Sequence, residues 1–213
     1  MIRLIQGSQR AQFPTEIDAM HRIRKKVFHD RLNWDVPTRG DWEIDHFDDL
    51  NPLYLVSIDH NQQVRGSLRL LPTTGPNMLS DVFDALLSDG VRIESATIWE
   101  SSRFSVDHEA AAERSENLLN RVTGELLIGI VEVGMIVGLT DVVSVYDALF
   151  ARILKRANCG ATPVGQTVRI GRTMVFAGLF EIGEELLRNL RVASGITESV
   201  LEEKSVLALG AAA

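Results

Sequence analysis

The chain has little cysteine, little positive charge and no long apolar run. One of its 213 residues is cysteine, Cys159. That excludes an intrachain disulfide and suits a reducing compartment. A lone cysteine of this kind is expected to act as a small buried hydrophobe. Lys and Arg number 22 against 29 Asp and Glu, leaving a net charge of −7. A general nucleic-acid binder needs a basic footprint, so that class is excluded. The most apolar stretch, 126–139, is interrupted by Glu132 and is too short for a membrane span. The Gly134–Gly138 pair inside it therefore need not be a membrane dimer motif. The opening Met1-Ile2-Arg3-Leu4-Ile5-Gln6 turns polar too soon for a signal peptide, and a cytoplasmic protein is expected. His21, His29, His46, His60 and His108 form no metal spacing with Cys159, so no metal is assigned.

What is present reads as one α/β domain over residues 1–205, with residues 206–213 as a frayed tail. Hydrophobic residues make up 45% and charged residues 24%, ordinary values for a globular domain. Arg3 to Gln6 reads as a strand. Pro14 opens a helix through Val27-Phe28, with Ile17, Met20 and Ile23 or Arg24 at helical spacing. No apolar period survives from Asp30 to Asp49, and a loop of that length in a compact domain is usually functional. Leu53–Asp59 and Gln63–Leu71 form a hairpin, and Ser80 is expected to cap a short helix through Leu87. Val91 to Val106 is extended and central. A long helix is expected over 110–138, striped by Leu118, Val122, Leu126, Ile130 and Val133. Asp141–Tyr146 is a buried strand, Asp147–Asn158 a helix, Thr173–Ala177 a strand, and Ile182–Arg191 a helix. The sum is a mixed central sheet flanked by helices on both faces, an α-β-α sandwich.

The central strand carries Trp99-Glu100-Ser101-Ser102-Arg103-Phe104. Side chains alternate along a strand, so Glu100 and Arg103 should face opposite ways. They share a site only if a bulge near Ser101-Ser102 resets the alternation. Other chemically suggestive residues come in a fixed order before it. They are Arg24 and Phe28 on the first helix, Trp34 in the long loop, then Glu43, Asp45 and Asp48. Arg69-Leu70-Leu71-Pro72-Thr73 ends the hairpin.

In this order the residues resemble the acyl-homoserine-lactone synthases, the autoinducer synthases of bacterial quorum sensing. The matching pattern is an Arg and Phe on the first helix, a loop Trp, Glu-x-Asp-x-x-Asp, Arg-x-Leu-Pro-Thr and Glu-x-Ser-Arg-Phe. It covers roughly half the chain. The resemblance implies a fold like the N-acetyltransferase (GNAT) superfamily. It also implies a reaction in which S-adenosylmethionine gives its amine to an acyl thioester and its carboxylate closes a lactone, expelling methylthioadenosine. S-adenosylmethionine is then a substrate, and no prosthetic group is implied. The acyl donor is an acyl carrier protein, with acyl-coenzyme A as the alternative. A different GNAT-fold N-acyltransferase is the competing class, but the stretch 106–114 lacks the glycine that cradles a pyrophosphate in such enzymes.

Under this reading Glu43, Asp45 and Asp48 favour the cationic substrate. Phe28 and Trp34 offer ring faces to adenine or the sulfonium. Arg24 and Arg103 orient the carboxylate or hold the acids, and Arg69 belongs to the same substrate site. Glu100 is the expected base, directly or through a water. Backbone N–H groups at the bulge would meet the oxyanion. Thr140 is expected either to touch the acyl chain, where the family's matching threonine accompanies 3-oxo preference, or merely to stop a helix. Arg152, Lys155 and Arg156 share a helix face. They are read as a docking patch for the acidic carrier or as cations answering the helix dipole.

Overall fold

The computed structural model describes residues 1–89, 91–108, 110, 117–171 and 173–210. In chain order its elements are β1 (Ile2–Gln6), α1 (Pro14–Arg24), β2 (Thr38–Arg39), β3 (Trp42–Glu43), β4 (Leu53–Ile58) and β5 (Val64–Pro72). Then come α2 (Met78–Asp81), β6 (Ile98–Val106), α3 (Arg121–Val137), β7 (Asp141–Asp147) and α4 (Ala148–Arg156). The chain continues with β8 (Thr162–Pro163), β9 (Val168–Ile170), β10 (Thr173–Glu181), α5 (Glu184–Ser194) and α6 (Glu203–Gly210).

The main sheet runs β1-β4-β5-β6-β7-β10-β8, with β9 also on β10. Every pairing is antiparallel except β6 with β7. The β4–β5 hairpin turns where expected. Asp59 folds its carboxylate back onto the N–H groups of Asn61 (2.8 Å) and Gln63 (3.0 Å), a local bond that competes with strand extension.

Helices cover both faces, as expected. On one face, Leu126, Ile130 and Val133 of α3 and Leu187 and Leu190 of α5 pack on Leu55, Leu68, Leu70 and Val142. On the other, Met20 and Ile17 of α1 meet Ile5, Tyr54 and Val56. Leu79 and Leu86 cover Val143 and Val175 on that side. Each fully buried aliphatic side chain contributes roughly 1.5–3 kcal/mol, so these two layers hold the sheet between them.

Several boundaries differ from the sequence reading. α3 begins at Arg121, because Asn120 caps it by accepting from Thr123 N at 2.9 Å. Leu118 precedes the helix and is exposed, and residues 111–116 lie outside the described residues. The cap of the short helix after β5 is Asn77, which accepts from Ser80 N at 3.1 Å; Ser80 is the donor rather than the cap. The central strand starts only at Ile98. The tail expected to fray after Ser205 continues as α6 through Gly210, and residues 211–213 lie outside the described residues. No helix among the described residues is long and apolar enough to cross a membrane.

Candidate active site

The site begins with a defect in β6. Leu71 lies opposite Glu100 and Arg69 opposite Ser102, but the next pairing is Ser67 with Ser105. Two residues of β6, Arg103 and Phe104, thus answer the single Leu68. The expected bulge is present, one to two positions beyond its expected place. Arg103 is its strained member, with φ +54°. A non-glycine residue there costs about 1–3 kcal/mol, and bulges of this kind re-aim a side chain. The result brings Glu100, Ser102 and Arg103 to one face, the face carrying Arg69.

Arg103 then reaches the acid loop. Its Nε donates to Glu43 Oε1 at 3.0 Å, and its Nη2 lies 2.8 Å from Asp45 Oδ2. Arg24 donates to Glu43 (2.6 Å) and, two-pronged, to Asp48 (2.8 and 3.0 Å). Arg69 bonds Asp45 (2.5 and 3.2 Å) and Asp48 (3.0 Å). Tyr54 adds its hydroxyl to Asp48 at 2.9 Å. Three guanidiniums thus face three carboxylates, all of them buried or nearly so. Burial alone would raise Asp48, but Arg24 and Arg69 overcome it and hold that carboxyl below the usual range. Removing one partner would strand a buried charge, at a cost of about 3–5 kcal/mol.

The acids were expected to face the cationic substrate. Glu43 and Asp48 are committed to arginines and do not line the cavity described below; neither do Arg24 and Arg69. Asp45 caps the 3-10 turn His46–Asp49 by accepting from Phe47 N at 3.0 Å. The acid loop is a strut that ties α1, β5 and β6 together and fixes Arg103.

The aromatic pair is set by an unusual turn. α1 continues into a π-helix, Lys25–Arg31, in which Leu32 N bonds Val27 O at 3.0 Å. Such turns recur at functional sites. Asn33 follows with φ +52°, and Trp34 N bonds Phe28 O at 2.9 Å. The Phe28 and Trp34 rings stack with centroids 5.5 Å apart, and the Arg103 guanidinium lies 5.4 Å over Phe28.

Glu100 accepts from the N–H groups of Met78 (2.9 Å) and Leu79 (2.6 Å) at the start of α2. Burial pushes its pKa up, partly offset by these donors and by Arg69 and Arg103. Met78 Sδ accepts from both Arg69 and Arg103 at 3.2 Å. Sequence reasoning passed over Met78, Asn77 and Tyr54, and read Ser102 only as part of the bulge. Tyr54 alone carried a signal, since it sits directly across the hairpin from Arg69.

β6 and β7 pair only from Ile98–Asp141 to Ser101–Ser144, then part. A cavity of about 670 Å³ passes through the opening. Phe28, Trp34, Met78, Glu100, Ser102 and Arg103 line it on the acid-loop side of the sheet. Beyond the strands it is lined by α3, α4 and α5 through residues such as Leu127, Ile130, Phe150, Ile153 and Leu190. Cys159 is buried there, with its thiol pushed up to about 11 by burial. Thr140 is not brought to this cavity. It is exposed and bonds Thr97 O (3.3 Å) and Thr97 Oγ1 (3.1 Å). Arg152, Lys155 and Arg156 are exposed on α4. Leu149 of the same helix is 65% exposed at the cavity's edge. Among the described residues no cluster could hold a metal ion.

Fold and site together define a mixed sheet between helical layers, with a cavity passing between two parted central strands. A putative N-acetyltransferase from Lactobacillus plantarum shares the fold at a TM-score of 0.54, with 14% identity over 85% of this chain and 99% of that one. The chain belongs to the autoinducer synthase family, whose model matches residues 8–190. It is similar to an acyl-homoserine-lactone synthase of Agrobacterium fabrum, 37% identical over 177 residues, which is 83% of this chain and 84% of that protein. It is also similar to the solved CoA-dependent acyl-homoserine lactone synthase MesI, with TM-score 0.82 and 25% identity, covering 95% of this chain and 100% of that one. The activity is that of an acyl-homoserine-lactone synthase, an acyltransferase that makes a quorum-sensing signal.

Proposed function

We propose that S-adenosylmethionine binds on the acid-loop side of the sheet and the acyl chain on the α3 side, so that amine and thioester meet where β6 and β7 part. The observation that carries this reading is the one cavity crossing the sheet there, polar and aromatic at one end and aliphatic at the other. Phe28 and Trp34 present their rings to the adenine or the sulfonium. Arg103 orients the substrate carboxylate, held in place by Glu43 and Asp45. Arg24, Asp48 and Arg69 act on the substrate through that strut. Glu100 takes the amine proton, directly or through a water, and its raised pKa suits a base. Backbone N–H groups freed at the bulge stabilise the oxyanion.

The donor we propose is an acyl carrier protein. Such carriers are acidic, this chain is acidic too, and docking then needs a local basic patch. α4 offers Arg152, Lys155 and Arg156, while its Phe150 and Ile153 line the cavity. Acyl-coenzyme A is the second reading, favoured by the likeness to the CoA-dependent MesI. The test is mass spectrometry of lactone and methylthioadenosine after incubation with S-adenosylmethionine and matched thioesters of both carriers. Both products should appear, with the lower KM for the carrier-protein donor. A lower KM for acyl-coenzyme A would replace the carrier protein, and no lactone from either donor would overturn the reading.

A further inference from the structure

The Arg103 guanidinium is held on two sides by different chemistry. Along one edge the partners are carboxylates: Nε donates to Glu43 Oε1 at 3.0 Å, and Nη2 lies 3.0 Å from Glu43 Oε1 and 2.8 Å from Asp45 Oδ2. The third nitrogen, Nη1, donates instead to a thioether, Met78 Sδ, at 3.2 Å. The same sulfur accepts from Arg69 Nη2, also at 3.2 Å.

Met78 is itself firmly placed. It is 4% exposed and packs among Phe47, Leu71 and Phe83. Its backbone N–H donates to Glu100 Oε2 at 2.9 Å. One residue thus holds Glu100 through its main chain and Arg103 through its side chain, and all three line the cavity.

Bonds along one edge leave a planar guanidinium free to tilt about that edge. A bond at Nη1 fixes the tilt. A thioether is a weak, uncharged acceptor. A carboxylate at Nη1 would fix the plane too, but it would neutralise the charge that an incoming anion needs. An aliphatic side chain would leave the charge but offer no acceptor.

We propose that Met78 is a positioning residue for substrate binding: its sulfur sets the tilt of the Arg103 guanidinium and leaves the charge for the carboxylate of S-adenosylmethionine. The inference rests on the reading that Arg103 orients that carboxylate. A guanidinium already held in its bound orientation loses less freedom when the ligand arrives. The benefit falls on ligands that carry the carboxylate and bypasses those that lack it.

The experiment measures Kd by calorimetry for S-adenosylmethionine and for its decarboxylated analogue, which keeps the adenosyl group, the sulfonium and the amine. The proteins are wild type, Met78→Leu and Met78→Gln. The first substitution nearly conserves volume, a change that cores tolerate well, and the second keeps an uncharged acceptor. Wild type should favour S-adenosylmethionine by about tenfold or more, the scale of a hydrogen bond to a charged group. Met78→Leu should cut that preference about fivefold, the scale of one ordinary hydrogen bond, through weaker binding of S-adenosylmethionine alone. Met78→Gln should keep most of the preference. Met78→Ala serves as a second acceptor-free variant should Met78→Leu disturb the packing, and retained binding of the analogue reports an intact site. Equal weakening of both ligands, an unchanged preference in the acceptor-free variants, or the same loss in Met78→Gln overturns the role of Met78. No preference for the carboxylate in wild type overturns the reading of Arg103 itself, a distinguishable outcome.

Discussion

Glu100 stands between two opposed influences. Two backbone N–H groups from α2 favour its carboxylate, while burial favours the acid. Burial is the larger, so its pKa lies above the ordinary 4.5. A base works in its ionised form. The account therefore expects kcat/KM to rise with pH through a limb above the ordinary glutamate range. Glu100→Gln should slow acyl transfer by about 10²-fold and remove that limb. Near wild-type turnover with an unchanged pH profile would refute the role. The same shift has a sign for stability. Because the folded pKa is raised, Glu100's contribution is fully present below its unfolded pKa and is lost as pH rises through the folded one. Asp48 is the reverse: its contribution is present above the unfolded value of 3.8 and is lost as pH falls.

At the scale of elements, α4 separates two tasks. Asp147 caps it by accepting from Phe150 N at 2.7 Å, one edge lines the cavity, and the cations face solvent. Changing Arg152 and Lys155 together to Glu should raise the KM for a carrier-protein donor severalfold and leave kcat nearly unchanged. The wild-type KM should climb with ionic strength, since such attraction is screened within about 10 Å at 0.1 M salt. An unchanged KM in the double variant would defeat the docking role. Most elements were legible because their apolar periods are regular: the β4–β5 hairpin, β7, α4 and α5 fall close to their expected places. The π-helix was not, because seven residues are too few to distinguish its turn from an α-helical one. β8 and β9, at two and three residues, are too short for any alternation to register. The pairing of the acid run was not legible, because the arginines that neutralise it come from three distant segments. Only folding brings Arg24, Arg69 and Arg103 together. The bulge was foreseen from the chemistry it had to serve, but its place depends on the φ of Arg103, which no local residue pattern announces.

Over the whole molecule, charge and shape divide the labour. A net charge of −7 coexists with a buried core where three carboxylates and three guanidiniums balance. Phe28, Trp34 and Arg103 line one end of a passage through the sheet, and residues of α3, α4 and α5 line the other. The account's central claim is that the two substrates enter from opposite faces and meet at β6. A crystal structure with S-adenosylmethionine and an unreactive acyl-donor analogue tests it most directly. The account predicts the adenosyl group and sulfonium against Phe28 and Trp34, the substrate carboxylate at Arg103, and the acyl chain along Leu127 and Ile130 of α3, with the amine within one water of Glu100. Both substrates on one face of the sheet, or an acyl chain outside the passage between β6 and β7, would contradict it.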